Sequence, residues 1–263
     1  MYSYFKAMKQ RTRKSLGIFS IFLLASSLYL SSCGQVKLGL DWRTANRNSS
    51  GIGPEPGSVQ NAIVQLYAAR AFSWRGIFGI HTWITFKSAG DDAFTVLQVV
   101  GWRKRRGLPV VKIEQDIPDR FWYGAKPDII AQLCGDEAKT AIPKILAAAE
   151  SYPHADSYRV WPGPNSNTFI VHIVRNVPEL DFNLPATAIG KDYLPDNRLW
   201  VKPAGSEGVH ISLWGILGIN LGPDVQGDIN FFGASIGAGF NPIHLQLPIM
   251  GRIGLKQEHC EAF

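Results

Sequence analysis

Two short stretches of this 263-residue chain carry residue types able to do covalent chemistry. The first, Arg75-Gly76-Ile77-Phe78-Gly79-Ile80-His81-Thr82-Trp83-Ile84, sets one imidazole inside an apolar run. The second, Gly163-Pro164-Asn165-Ser166-Asn167-Thr168-Phe169, sets a hydroxyl behind a Pro-Gly-Pro turn where a helix is predicted to begin. A helix N-terminus offers unpaired N–H groups and the positive end of a dipole. In the reactive reading Ser166 is the nucleophile, His81 its base, and the N–H groups of Asn167 and Thr168 the oxyanion donors. Asp192, within Lys191-Asp192-Tyr193, is a weaker candidate to orient His81. The plainer reading competes at each position. Serine at a helix start is an ordinary cap, histidine in an apolar strand is usually a satisfied core residue, and Lys191-Asp192 is equally a structural pair or part of a pocket wall. Neither a metal nor a cofactor is expected. Glu258-His259-Cys260-Glu261 has ligand residue types but no second cluster at zinc spacing, and Gly233 to Gly239 lacks the Lys-Ser/Thr of a phosphate loop.

The elements that must hold these residues follow from periodicity and punctuation. Ala62 to Ala71 reads as a strand, with helix as the alternative. Gly76 to Phe86 and Phe94 to Trp102 are β-branched and aromatic strands joined by a Gly90-Asp91-Asp92 turn. Arg103-Lys104-Arg105-Arg106 follows as a solvated turn; its functional alternative is contact with anionic lipid headgroups. Lys126-Pro127-Asp128 opens a short helix stopped near Gly135, and Thr140 caps a second with Pro143 in its first turn. Asn165 or Ser166 caps a third, on which Phe169, Ile170, Ile173 and Val177 recur at helical spacing and which Pro178 stops. From Gly208 the chain alternates glycines with short apolar segments, which predicts twisted strands and tight turns rather than helix. Within it, Leu213 to Leu221 and Phe231 to Phe240 look loosely alike. Cys134 reads as a buried small residue, and its pairing with Cys260 stays open.

Residues 1–32 hold five basic residues and no acidic one, followed by an apolar run from Leu16 to Leu30. That order is a secretory signal, ending in Leu30-Ser31-Ser32-Cys33. The end resembles a bacterial lipobox, which implies cleavage before Cys33, lipidation of Cys33 and, with Gly34 next, the periplasmic face of an outer membrane. The alternatives are an ordinary signal or an uncleaved inner-membrane helix. Residues 33–57 read as a tether and 58–263 as one globular domain, divided into 58–200 and the Gly-rich 201–263.

The order of strand histidine and Asn-X-Asn-Thr-Phe helix start resembles the circularly permuted papain-like proteins, including PPPDE peptidases and LRAT-type acyltransferases. In PPPDE-like members a cysteine stands where Ser166 falls. The resemblance implies an α+β fold with a permuted papain-like core, antiparallel strands plus helices, and a hydrolase or acyl/amide transferase acting on an envelope amide or ester. A serine cannot be made an anion by a helix N-terminus as a cysteine can, so the activity needs His81 in hydrogen-bond contact. The rival is a non-catalytic envelope binding or scaffold lipoprotein on a degenerate papain-like fold. The mature chain also resembles the uncharacterised bacterial family known as domain of unknown function thirty-seven fifty. The matching parts are Arg75–Ile84, Val100-Gly101-Trp102, Trp161–Phe169, Leu184–Tyr193 and the segment through Leu247–Arg252.

The formal charge of +6 belongs mostly to the leader. Without residues 1–32 the chain holds 22 basic and 21 acidic residues, which argues against a nucleic-acid partner. Membrane attachment through the N-terminus is the one partner the sequence predicts.

Overall fold

The computed structural model describes residues 35–202, 208–222, 227–240, 242–255 and 260, with scattered positions between 5 and 25. The fold is α+β, built on two antiparallel sheets. Among the described residues no helix is long and apolar enough to cross a membrane.

The first sheet has strands β1 (Ile63–Arg70), β2 (Ile80–Lys87), β3 (Thr95–Val99), β4 (Val111–Gln115) and β5 (Asp128–Cys134), in the order β4-β3-β2-β1-β5. A single helical turn, α1 (Arg75–Phe78), joins β1 to β2, so the strand expected from Gly76 begins four residues later. Gly76 permits this turn, since a side chain there would meet the carbonyl of Ala71 at 2.4 Å. The basic run lies in an exposed 3-10 turn, Gly101–Arg106, closed by Gly107 at φ 68°.

Two helices cover one face of this sheet, α2 (Gly135–Glu150) and α3 (Ser166–Asn176). The segment expected to form a short helix after Pro127 is instead β5, because its Ile-Ile-Ala-Gln-Leu run completes the ladder beside β1. The following helix starts at Gly135 rather than Thr140, which puts Pro143 in its interior. Helix α3 begins at Ser166 with Asn165 as its cap, behind cis bonds at Trp161-Pro162 and Gly163-Pro164. Leu66, Ile84, Leu97, Ile145, Phe169 and Ile173 form the core between helices and sheet. On the opposite face Tyr67, Trp83, Val96 and Ala125 make a second cluster, with Trp122 against it.

Residues 45–59 are folded onto the body, although they read as a tether. Asp119 draws them in: it accepts bonds from the Ser49 hydroxyl (2.8 Å), the Ser50 hydroxyl (3.1 Å) and the N–H groups of Ser50, Ile52 and Gly53 (3.1, 3.0 and 3.3 Å). Burial opposes ionisation of Asp119, but these donors outweigh it and hold the carboxyl below its usual range.

The second sheet is a meander of seven strands in chain order: β6 (Trp200–Val201), β7 (Val209–Leu213), β8 (Leu217–Leu221), β9 (Gly227–Phe231), β10 (Ala234–Phe240), β11 (Ile243–Leu247) and β12 (Gly251–Gly254). The two look-alike segments share their turns, since Trp214-Gly215 and Phe232-Gly233 both adopt positive φ. Side chains alternate across the sheet as period two requires. The polar set, His210, Ser212, Asp228, Asn230, His244 and Gln246, is buried. The apolar set points outward.

Candidate functional site

His81 and Ser166 sit on elements that touch, yet their side chains are not brought together. On β2 the Thr82 hydroxyl donates to Asn167 Oδ1 at 2.9 Å, and Ile84 joins the core beneath α2 and α3. Even-numbered residues of β2 therefore face the helices, and His81 and Trp83 leave by the other face. There the His81 ring stacks on Trp122 with centroids 3.5 Å apart, and Nε2 lies 3.2 Å from Gln98 Oε1. Gln98 Oε1 only accepts, so Nε2 carries the ring proton. Burial lowers the His81 pKa to about 3, against a smaller opposing effect of the Gln98 bond. A base so weak in protons, with the sheet between it and α3, is not the base of Ser166. The structure does not bring the two side chains of the expected dyad together.

The N–H groups expected as oxyanion donors are engaged by the helix cap. Asn165 Oδ1 accepts from the N–H of Asn167 at 2.9 Å and of Thr168 at 3.3 Å, and the Thr168 hydroxyl accepts from the Asn165 N–H at 3.1 Å. This capping box consumes the donors a tetrahedral intermediate would need. The two amide side chains go on to fasten α3 to the chain beside it. Asn165 Nδ2 donates to Val160 and Ile189 carbonyls, and Asn167 Nδ2 to those of Ile80 and Ile189. Gly190 makes this possible, with φ 95° and no room for a Cβ, which would stand 2.3 Å from Asn165 Nδ2. Ser166 itself is buried at the first position of the helix.

Asp192 does not orient His81. It belongs to a buried polar layer between the helices and the second sheet. Lys191 Nζ lies 2.5 Å from Asp228 Oδ1 and 3.7 Å from Asp192 Oδ1. His210 Nε2 lies 3.1 Å from Asp192 Oδ1, and Arg175 Nη2 donates to His210 Nδ1 at 2.5 Å. Because arginine only donates, His210 Nδ1 is the acceptor and its proton sits on Nε2, facing Asp192. Burial lowers the His210 pKa, partly offset by Asp192. Burial works against the charges of Lys191 and Asp192 too, but the carboxylates raise Lys191, and Lys191, His210 and Arg175 lower Asp192. Sequence spacing missed His210 and Arg175, since 35 residues separate them and no motif links them.

An open cleft of about 880 Å³ lies beside this layer, between the ends of α2 and α3 and residues 193–202. Tyr152, His154, His172 and Tyr193 line it. The Tyr152 hydroxyl and His154 Nε2 are buried without a hydrogen-bond partner among the described residues. His172 Nε2 donates to the Ala148 carbonyl at 3.0 Å, so it cannot serve as base to the Ser151 hydroxyl 3.3 Å away. No metal-holding group of three acidic, cysteine or histidine side chains occurs among the described residues. Cys33 and Glu258, His259 and Glu261 lie outside them. Cys260 is described, and it forms a disulfide with Cys134.

A family model described as Protein of unknown function (DUF3750) matches residues 61–193, just over half of the chain. The chain belongs to the DUF3750 family. No curated protein and no solved structure matches it. The DUF3750 span contains the first sheet, α1 to α3 and the Lys191-Asp192 pair, and ends before the second sheet. The likeness expected to run on to Arg252 is therefore not part of the match.

Proposed function

We propose that this DUF3750 protein is an exported lipoprotein, anchored through Cys33 at the periplasmic face of the outer membrane, whose folded body binds or scaffolds without catalysing. One observation carries the non-catalytic choice: His81 leaves the sheet on the face opposite α3. The spent oxyanion donors agree with it. The order of a strand bearing histidine and a helix opened by Asn-Ser-Asn-Thr-Phe supports distant descent from the permuted papain-like proteins, with the Thr82–Asn167 bond joining β2 to α3. The Cys134–Cys260 disulfide suits an oxidising compartment and so supports export. The cleft with its unpartnered Tyr152 hydroxyl and His154 nitrogen is the natural place for a polar ligand.

A serine-reactive phosphonate on the purified chain tests the choice. No labelling is expected. Labelling that disappears in both Ser166→Ala and His81→Ala would restore the enzyme reading. A fatty-acid analogue fed to expressing cells tests the anchor, with label expected on the native chain and none on Cys33→Ala.

A further inference from the structure

The second sheet is built inside out. Across its outer face the register aligns Ile211, Ile219, Ile229 and Ile236, with Leu213, Leu217 and Phe231 in the next row. These residues are between 38% and 64% exposed, whereas the polar residues between them are buried. No charged or hydrogen-bonding side chain occupies a described outward position of β7 to β12. Six strands of about five residues make a face on the order of 25 by 17 Å. Soluble proteins rarely leave a contiguous apolar patch of several hundred Å² uncovered.

Two observations decide what covers it. Protein interfaces carry roughly one hydrogen bond per 100–200 Å², even when largely apolar, and this face offers none from its strand side chains. Apolar-out and polar-in alternation, rimmed by indoles, is the pattern of strands that meet acyl chains. Here Trp200 stands at the β6 edge and Trp214 at a hairpin turn, both more than half exposed. The second observation is the route of the chain. Val36 packs with Ile249, in the turn between β11 and β12, and with Ile77. Val36 is three positions after Cys33 in the sequence. The chain that follows the proposed anchor is thus held at the end of this same sheet from Val36 onward.

We infer that the outer face of the second sheet lies in the acyl layer of a bilayer, a second membrane contact beside the N-terminal one. The choice of lipid over a second protein rests in part on the proposed anchor, and the test separates the two. The full chain carrying Ile229→Cys is labelled with an environment-sensitive nitrobenzoxadiazole and placed with vesicles of phosphatidylethanolamine and phosphatidylglycerol. Asp136→Cys, on an exposed part of α2, is the control site. Blue-shifted emission at 229, lost when the vesicles contain doxyl-labelled acyl chains, is expected, with no change at 136. The same quenching in a chain also carrying Cys33→Ala would uphold the face even if no lipid is found on Cys33. A blue shift at 229 that doxyl lipids leave intact would mean that protein covers the face, and would overturn the inference. An unshifted, water-exposed label on a chain shown to be acylated would overturn it too, while leaving the anchor standing.

Discussion

His81 shows how a residue with the right chemistry can be turned to structure. Its ring is stacked on Trp122, packed beside Trp83 and tied to Gln98. The consequence is a pH dependence whose sign is fixed. The folded-state pKa, about 3, lies below the unfolded value near 6.5, so the unfolded chain binds the proton that the folded chain refuses. Stability contributed by neutral His81 is present above pH 6.5 and is lost progressively as pH falls toward 3. His81→Gln should flatten that part of the acid-unfolding profile, which urea titrations between pH 7 and 4 would show. No local pattern foretells the stack on Trp122, because Trp122 reaches His81 from a loop 41 residues away. It did show Asn165 as a cap candidate, because Asn before Phe-Ile-x-x-Ile is a local signal.

At the scale of elements, local signals were legible and pairing was not. The start of α3 and the strands β1 to β3 follow from punctuation and period. Strand β5 does not, because a short, mostly apolar run such as Ile-Ile-Ala-Gln-Leu fits either element until β1 supplies its partner. The strap of residues 45–59 was unreadable for the same reason. Its Asn, Ser, Gly and Pro mark a flexible linker in isolation, and it is ordered by Asp119, some 70 residues away, together with backbone bonds from Phe121 to Asn48 and from Gly124 to Asn46. Asp119→Ala should therefore release the strap, at a cost of about 3 kcal/mol, since it unpairs several donors to one ionised acceptor. Limited proteolysis should then cut between residues 45 and 53 before the rest of the chain. The bound carboxyl lies below its usual pKa, so its contribution is present at neutral pH and lost as pH falls through the acid range. Glycines between short apolar segments announced twisted strands from Gly208 onward, but they say nothing about which face of those strands turns inward.

The whole molecule is held together by a layer that ordinary hydropathy would not place in a protein interior. Lys191, Asp192, Asp228, His210 and Arg175 join the DUF3750 part to the second sheet, all of them buried or nearly so. Removing one member strands the others. Asp192→Ala should destabilise the chain by about 3–5 kcal/mol, the usual result of leaving buried charges unpaired. Asp192→Asn keeps an acceptor for His210 and should cost less. Denaturant unfolding of the two variants side by side would check both the size and the order. The charged groups were visible in the sequence, and Lys191-Asp192 was already a candidate pair. Their meeting with His210 and Asp228 depends on the meander folding back over residues 183–193, a contact that no local pattern records. The Cys134–Cys260 bond gives this arrangement a different property. It closes a loop of 126 residues that contains α2, α3 and the entire second sheet. A protease that cuts this loop once makes two polypeptides but no separate fragment. The nicked protein keeps its mass on a non-reducing gel and divides only when thiol is added, so digestion followed without reductant would mistake a cut chain for a resistant one.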